Sequence, residues 1–273
     1  GFTFLNVAPE QQLSRRGSKG VSITLSPRAT AAWVRAGREQ HVDCGDRLMA
    51  ARLVARGGRR GKEYQRKLGI FLISGYAPDS SKPAAERDEY YRGFARLIAR
   101  KQPGDVLIAC VDSNSDIGRG SLDGDDDGSA RTGAVGPFGN AHLNAAGRRL
   151  RSFLEDHQLA SLTSFYDKPH YTTWIHPASK LPHQLDHILV SQADRFRFAD
   201  AGSCPFQLVN SDHVPVGCRM RIVAGMRGAE TTPRSKLLRL DTSSLYTVEG
   251  QQAFARCFVQ HAQPSSAHIP SGQ

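Results

Sequence analysis

The 273-residue sequence has no C-x-x-C pair, and its five cysteines (Cys44, Cys110, Cys204, Cys218 and Cys257) are odd in number and scattered. That pattern speaks against a disulfide framework and a structural zinc site, and it fits a reducing, intracellular compartment. No run approaches the ~18 apolar residues of a membrane span, so a membrane role is not expected. No secretory signal is recognisable, and because the sequence opens on Gly1 instead of Met, the start of the gene product is expected upstream. Internal repeats are absent. Acidic residues are in deficit, with 26 Asp+Glu against 36 Lys+Arg and a net charge of +10. That balance favours a polyanionic partner, nucleic acid first and an anionic membrane surface second; a merely soluble basic protein is the plain alternative. The hydrophobic fraction of 39% is enough for a real core in one large domain or two small ones.

Several segments pattern as strands. Gly20 to Ser26 alternates apolar and polar residues, and Leu48 to Val54 and Leu68 to Ser74 form a long hairpin around a basic loop. Val106 to Val111 and Gln184 to Val190 read as buried central strands, and Val216 to Val223 as a last strand. Helices are predicted over Pro83 to Lys101 and Asn144 to His157, and a short one over Ala29 to Ala36 after Pro27. Hairpins mixed with helical crossings indicate a layered α/β sandwich and no strict βαβ repeat. Residues 1–223 form the domain. Residues 224–273 read as a polar linker, one amphipathic helix over Tyr246 to His261, and a loose tail.

The chemistry-bearing residues sit at strand ends. Asp112-Ser113-Asn114 closes one apolar run, where an Asp can act as general base on water and an Asn can orient that water or bind phosphate; an Asx turn is the bland alternative. Asp186 opens another run. Ser211-Asp212-His213 places a carboxylate beside an imidazole: Asp212 can approach a metal while His213 donates to a phosphate oxygen. An Asp186–His213 pair would hold the imidazole protonated and oriented. Tyr76 at a strand end can contact phosphate, and Trp174 can stack on a sugar or base; packing is the alternative for both. Arg52 to Lys67, with Arg52, Arg56, Arg59, Arg60, Lys62, Arg66 and Lys67, forms the best nucleic-acid footprint, against the alternative of a solvated hairpin guarding its edge. The acidic stretch Ser121 to Gly128 briefly imitates a calcium loop. Its closing position, counted from Asp123, is Ala134 and not Glu, so it reads as a flexible acidic loop.

Taken in order, these motifs resemble the endonuclease/exonuclease/phosphatase superfamily, and most of all the apurinic-type endonuclease domain of non-LTR (LINE-like) retrotransposons. The resemblance rests on Gly75-Tyr76-Ala77-Pro78, Val111-Asp112-Ser113-Asn114, Gln184-Leu185-Asp186-His187-Ile188-Leu189 and Ser211-Asp212-His213. Gly136-Pro137-Phe138-Gly139 through Asn144-Ala145-Ala146-Gly147-Arg148-Arg149-Leu150 adds to it. It covers about Gly17 to Val223 and implies a four-layered α/β sandwich, two mixed sheets face to face with helices outside. It also implies DNA nicking to a 3′-hydroxyl with Mg²⁺, or Mn²⁺ in its place. Asp112 would activate or position water beside Asn114, Tyr76 would contact the scissile phosphate, Asp186 would orient His213, and Asp212 would sit at the metal.

Two departures qualify that expectation. Relatives usually carry Gly where Val111 stands, a tolerable change. The family's opening Asn strand and Glu strand, the latter bearing the principal metal ligand, have no match. Asn6 in Phe4-Leu5-Asn6-Val7 and the later Glu39 are only a superficial pair. The implied domain lacks its first strand or strands, has an open sheet edge for a protein partner or further chain to cover, and binds metal weakly. The alternatives are a catalytically inactive DNA- or RNA-binding scaffold, for example in a ribonucleoprotein, and a phosphatase for small phosphoesters. An active retroelement enzyme would be expected in the nucleus.

Overall fold

The structure, a computed structural model, describes residues 1–7, 20–57, 66–120, 133–204 and 211–222. The described residues form twelve strands and three α-helices: β1 (Thr3–Val7), β2 (Val21–Leu25), α1 (Pro27–Arg35), β3 (Gln40–Asp43), β4 (Leu48–Gly57), β5 (Arg66–Tyr76), α2 (Ala84–Ala99), β6 (Val106–Asp112), α3 (Ala145–Asp156), β7 (Leu159–Ser161), β8 (Trp174–Ile175), β9 (Pro182–His183), β10 (Asp186–Ser191), β11 (Phe198–Ser203) and β12 (Val216–Met220). A mixed six-stranded sheet in the order β3-β4-β5-β6-β10-β7 organises the domain. Among the described strands only β5 and β6 pair in parallel; the crossing between them is α2, as a parallel pair requires.

The helices begin where local chemistry dictates. Ser26 caps α1 through its hydroxyl, with Pro27 in the first turn. The Asn144 side chain accepts the Gly147 amide at 2.7 Å to start α3. Gly147 itself is required by close packing: a β-carbon there would lie 1.8 Å from the Asp116 carbonyl oxygen. On this side of the sheet Leu107, Ala109, Val111, Phe71 and Ile73 pack against Phe94, Leu97, Leu150 and Leu154 of α2 and α3. Phe94 stacks on Phe153 at 5.1 Å and ties the two helices together.

The opposite face carries Met49, Ala51, Ile70, Val106, Ile108, Ile188 and Val190. Over them lie Leu5, Val21, Leu25 and Ala32 from one end of the chain and Phe198 and Ala201 from the other. This second layer comes in two pieces, the β1-β2 and β11-β12 hairpins, which are not hydrogen-bonded to each other. Among the described residues no strand joins the two hairpins, which leaves a gap between them over the central sheet. Cys110 is exposed although β6 lies inside a six-stranded sheet, and its β5 neighbour Ser74 is only half-buried. Burial pushes the Cys110 thiol pKa up even though water reaches it, the mark of a group on the floor of a recess. The layered α/β architecture matches the sequence reading.

Candidate active site

The gap leads to the end of β6. There Tyr76 of β5, Asp112 of β6 and Asp186 of β10 stand in register across three adjacent strands, Tyr76 opposite Asp112 and Asp112 opposite Asp186. Their side chains share the face that carries Ile108 and Val190, because residues two apart along a strand point the same way. His213 closes the group from the far end of the chain: its Nδ1 lies 2.9 Å from Asp186 Oδ2, with both side chains largely shielded from solvent. The ligand atoms of Asp112, Asp186 and His213 all lie within 4.8 Å of one another.

Thr173 holds these parts together. Its buried hydroxyl oxygen accepts the amides of Leu185 and Asp186 at 2.9 and 3.1 Å, which fixes the start of β10. Its carbonyl accepts the Val214 amide at 2.7 Å, so one residue ties the Asp186 strand to the Asp212-His213 turn. Neighbouring Trp174 forms a bridge with His213 and donates its indole N–H to Asp212 Oδ2 at 2.9 Å. Ser113 Oγ reaches the Leu185 carbonyl at 2.9 Å and ties the β6 end to β10. The sequence singled out Trp174 but not the role of Thr173.

The electrostatics follow from crowding acids around one imidazole. Burial, and then the charge of Asp186, push the Asp112 pKa up to about 6, against the pull of the Asn114 amide and of His213. The hydrogen bond from Asp186 raises the pKa of His213, so the imidazolium form is favoured. Asp212 is exposed, and the Trp174 N–H holds its carboxyl below the usual range. Asn114 adopts a left-handed backbone (φ 48°), gives its amide N–H to Asp112 Oδ1 at 3.0 Å and its side-chain NH₂ to the Ala77 carbonyl at 2.8 Å. It therefore locks the turn that carries Asp112. Arg47, which sequence reasoning missed, lies over the Tyr76 ring at 5.5 Å and pairs with Glu86 at 2.7 Å.

Other expectations resolve differently. Glu39 is the residue before β3 and lies at the level of Leu107, through Arg52 and Phe71. That is five positions, or ~16 Å, along β6 from Asp112, and its carboxylate meets His41 at 3.1 Å. Asn6 is an exposed residue of β1 opposite Ser22. Among the described residues no glutamate joins the Asp112 cluster. His187 points away from the site, is buried against Ser161 and the Ser115 carbonyl, and has its pKa lowered by desolvation. In the basic hairpin, Arg52 is committed to the buried Asp105 at 2.7 and 3.0 Å, and Arg56 is exposed. Arg59, Arg60 and Lys62, the acidic stretch at 121–128, and everything from 223 onward lie outside the described residues.

No family model matches the chain. Curated relatives include craniofacial development protein 2 from Bos taurus, 25% identical over 214 residues covering 78% of this chain and 32% of that protein. The protein of the same name from Tragulus javanicus is 23% identical over 265 residues, 96% of this chain and 42% of that one. The chain thus spans roughly a third to two fifths of the length of these relatives. Among solved structures, the AP endonuclease LMAP from Leishmania major superposes with a TM-score of 0.52 at 14% identity, covering 81% of this chain and 71% of that one. The endonuclease domain of TRAS1, a telomere-specific non-LTR retrotransposon, gives 0.47 at 16% identity over 80% of each chain. The 3′-5′ exonuclease NExo from Neisseria meningitidis gives 0.46 at 17% identity over 67% of this chain and 71% of that one. The two-faced mixed sheet, with α2 and α3 on one side and α1 and the split hairpins on the other, is the fold the chain shares with that AP endonuclease.

Proposed function

We propose that this chain is the phosphate-handling part of a divalent-metal-dependent DNA endonuclease of retroelement type, with weak activity in the absence of a further metal-binding carboxylate. The observation that carries this reading is the row Tyr76–Asp112–Asp186 across three strands, with His213 bonded to its end. Asp186 holds His213 as an imidazolium that donates to a phosphate oxygen. Asp112, ionised above about pH 6, accepts a proton from the water whose oxygen bonds to phosphorus as the P–O3′ bond breaks, and the departing 3′-oxygen takes up a proton from solvent to give the 3′-hydroxyl. Tyr76 contacts the phosphate from the β5 side, and Asn114 keeps the Asp112 turn in place.

The donor chemistry fits a hard cation. Burial first, then the charge of Asp186 and last that of Asp212, raise the Asp112 pKa, and carboxylate oxygens suit Mg²⁺ or Mn²⁺. Asp212 is the residue to hold it, beside Asp112. When bound, the cation would offset charge developing on the phosphate. The exposed strip at Cys110 is read as the seat of the strands that bring the remaining carboxylate, from further chain or from a protein partner; the nucleic acid enters along the same side, with Trp174 and the basic hairpin holding it.

The test is nicking of supercoiled plasmid with Mg²⁺ or Mn²⁺ by this chain and by a chain extended upstream. Slow nicking that the extension accelerates and His213→Ala abolishes supports the reading. A folded extended chain without activity refutes it. One observation favours a second reading, a DNA- or RNA-binding scaffold: the +10 charge is present while no glutamate joins the cluster among the described residues. It predicts salt-sensitive binding unaffected by Asp212→Ala and His213→Ala.

A further inference from the structure

Three loops far apart in sequence bring a second group of ligands together on the far side of Trp174 from His213. Asp116 follows the β6 turn, His142 precedes α3, and His183 ends β9, directly opposite Trp174 in the β8-β9 hairpin. Both imidazoles present Nδ1 to the same oxygen: His142 lies 3.1 Å and His183 2.6 Å from Asp116 Oδ2, and all three ligand atoms lie within 4.8 Å of one another. The other carboxylate oxygen is fixed by the Gln184 amide at 2.9 Å, and the Asp116 carbonyl by the Asn144 amide at 3.2 Å.

From this geometry we infer that Asp116, His142 and His183 form a binding site for a divalent transition metal, Zn²⁺ first, separate from the phosphate-handling cluster. Zn–N and Zn–O bonds of ~2.0–2.1 Å in a tetrahedron set ligand-to-ligand distances of about 3.3 Å. The Asp116–His142 distance already fits, and the Asp116–His183 distance needs to open by less than ~1 Å. The charge balance points the same way. Asp116 is 1% exposed, and among the described residues its ion pairs are with the two histidines, which offer ring nitrogens to a metal as well. Buried Asp105, by contrast, has Arg52. Two nitrogen donors and one carboxylate select Zn²⁺ and its neighbours over Mg²⁺. The outward face of His142, 61% exposed, leaves the fourth position to water.

The site has a consequence for its neighbour. A metal here would pin the residues on either side of the 121–132 segment to the β8-β9 hairpin. Trp174 lies 5.5 Å ring to ring from His183 and 6.3 Å from His213, and it bonds Asp212. Metal occupancy would therefore fix the tryptophan that positions Asp212. The lack of any C-x-x-C pair suggested no structural zinc; a site built from His and Asp on separate loops leaves no such spacing in the sequence.

The experiment is a Co²⁺ titration of the whole chain, followed by ligand-field absorption and Trp fluorescence, with Zn²⁺ competition and thermal melts. We expect one equivalent of Co²⁺ with the bands of a four-coordinate N/O site, quenching that Trp174→Phe removes, displacement by Zn²⁺ but not by excess Mg²⁺, and a Zn²⁺-dependent rise in Tm. His142→Ala, at an exposed position that folding does not need, should weaken Co²⁺ binding at least tenfold. Asp186→Asn, in the other cluster, should leave it unchanged. Absence of Co²⁺ bands and of any Zn²⁺ effect on Tm would overturn the inference, as would binding that His142→Ala leaves intact or that Asp186→Asn abolishes. None of these readouts depends on nuclease activity.

Discussion

Asp186→Asn preserves shape and removes one charge from the centre of the site. Two effects follow from the geometry. The Asp186–His213 contact is a 2.9 Å charge-assisted hydrogen bond with both side chains mostly out of water, worth about 1.5–3 kcal/mol. If His213 acts as an imidazolium, its loss lowers the hydrolysis rate roughly 10- to 100-fold. The second effect is on Asp112, whose pKa of about 6 owes its second-largest cause to the Asp186 charge. Removing that charge lets Asp112 ionise at lower pH, and removing the hydrogen bond lets His213 lose its proton at lower pH. Both limbs of the pH–rate profile therefore move down together, while the maximum falls. Mg²⁺-dependent plasmid nicking across pH gives the two limbs, and NMR titration of the His213 ring gives the imidazole independently of turnover. A variant with unchanged limbs, or a His213 whose titration does not move, would refute the assigned partnership.

Asp112→Asn should remove the acid limb near pH 6 and reduce nicking by two orders of magnitude or more, measured on the same pH series. His187 has a lowered pKa in its buried place, so the stability it contributes is present above the ordinary histidine range and is lost as pH falls through it; His187→Gln should flatten the fall in Tm between about pH 7 and pH 5. Arg52→Ala strands Asp105, 4% exposed, and should cost about 3 kcal/mol in chemical denaturation, whereas Arg56→Ala should leave stability unchanged and weaken DNA binding. Gly147→Ala drives a methyl against the Asp116 carbonyl and should destabilise the domain by about 1–3 kcal/mol, read as a loss of Tm.

What was legible in the sequence follows from how strongly a segment must bury itself. Val106–Asp112 and Asp186–Ser191 are covered on both faces over most of their length and carry continuous apolar runs, so both strands and the acids at their ends could be read directly. The amphipathic stripes of α2 and α3 were equally plain, to within two residues of their observed ends. Gln40–Asp43 and Phe198–Ser203 were missed because an edge strand such as β3, or one half of a hairpin such as β11, alternates around polar and small residues without a run. The same weakness hid β1, whose Asn6 turned out to face solvent. The basic hairpin misled in one respect: Arg52 sits in a charged string, but its partner Asp105 is 53 residues away. The Asp116–His142–His183 group was invisible for the same reason, its members being 26 and 67 residues from Asp116.

The proposed hydrolysis of phosphodiesters by this chain rests on the row Tyr76–Asp112–Asp186 with its bonded His213. The direct measurement is plasmid nicking with Mg²⁺ and analysis of the ends produced, comparing the wild type, His213→Ala and an upstream-extended chain. Nicks ending in a 3′-hydroxyl, accelerated by the extension and lost in His213→Ala, are the predicted result. Nicking that persists undiminished in folded His213→Ala, or a folded extended chain that binds DNA and never cuts it, would contradict it.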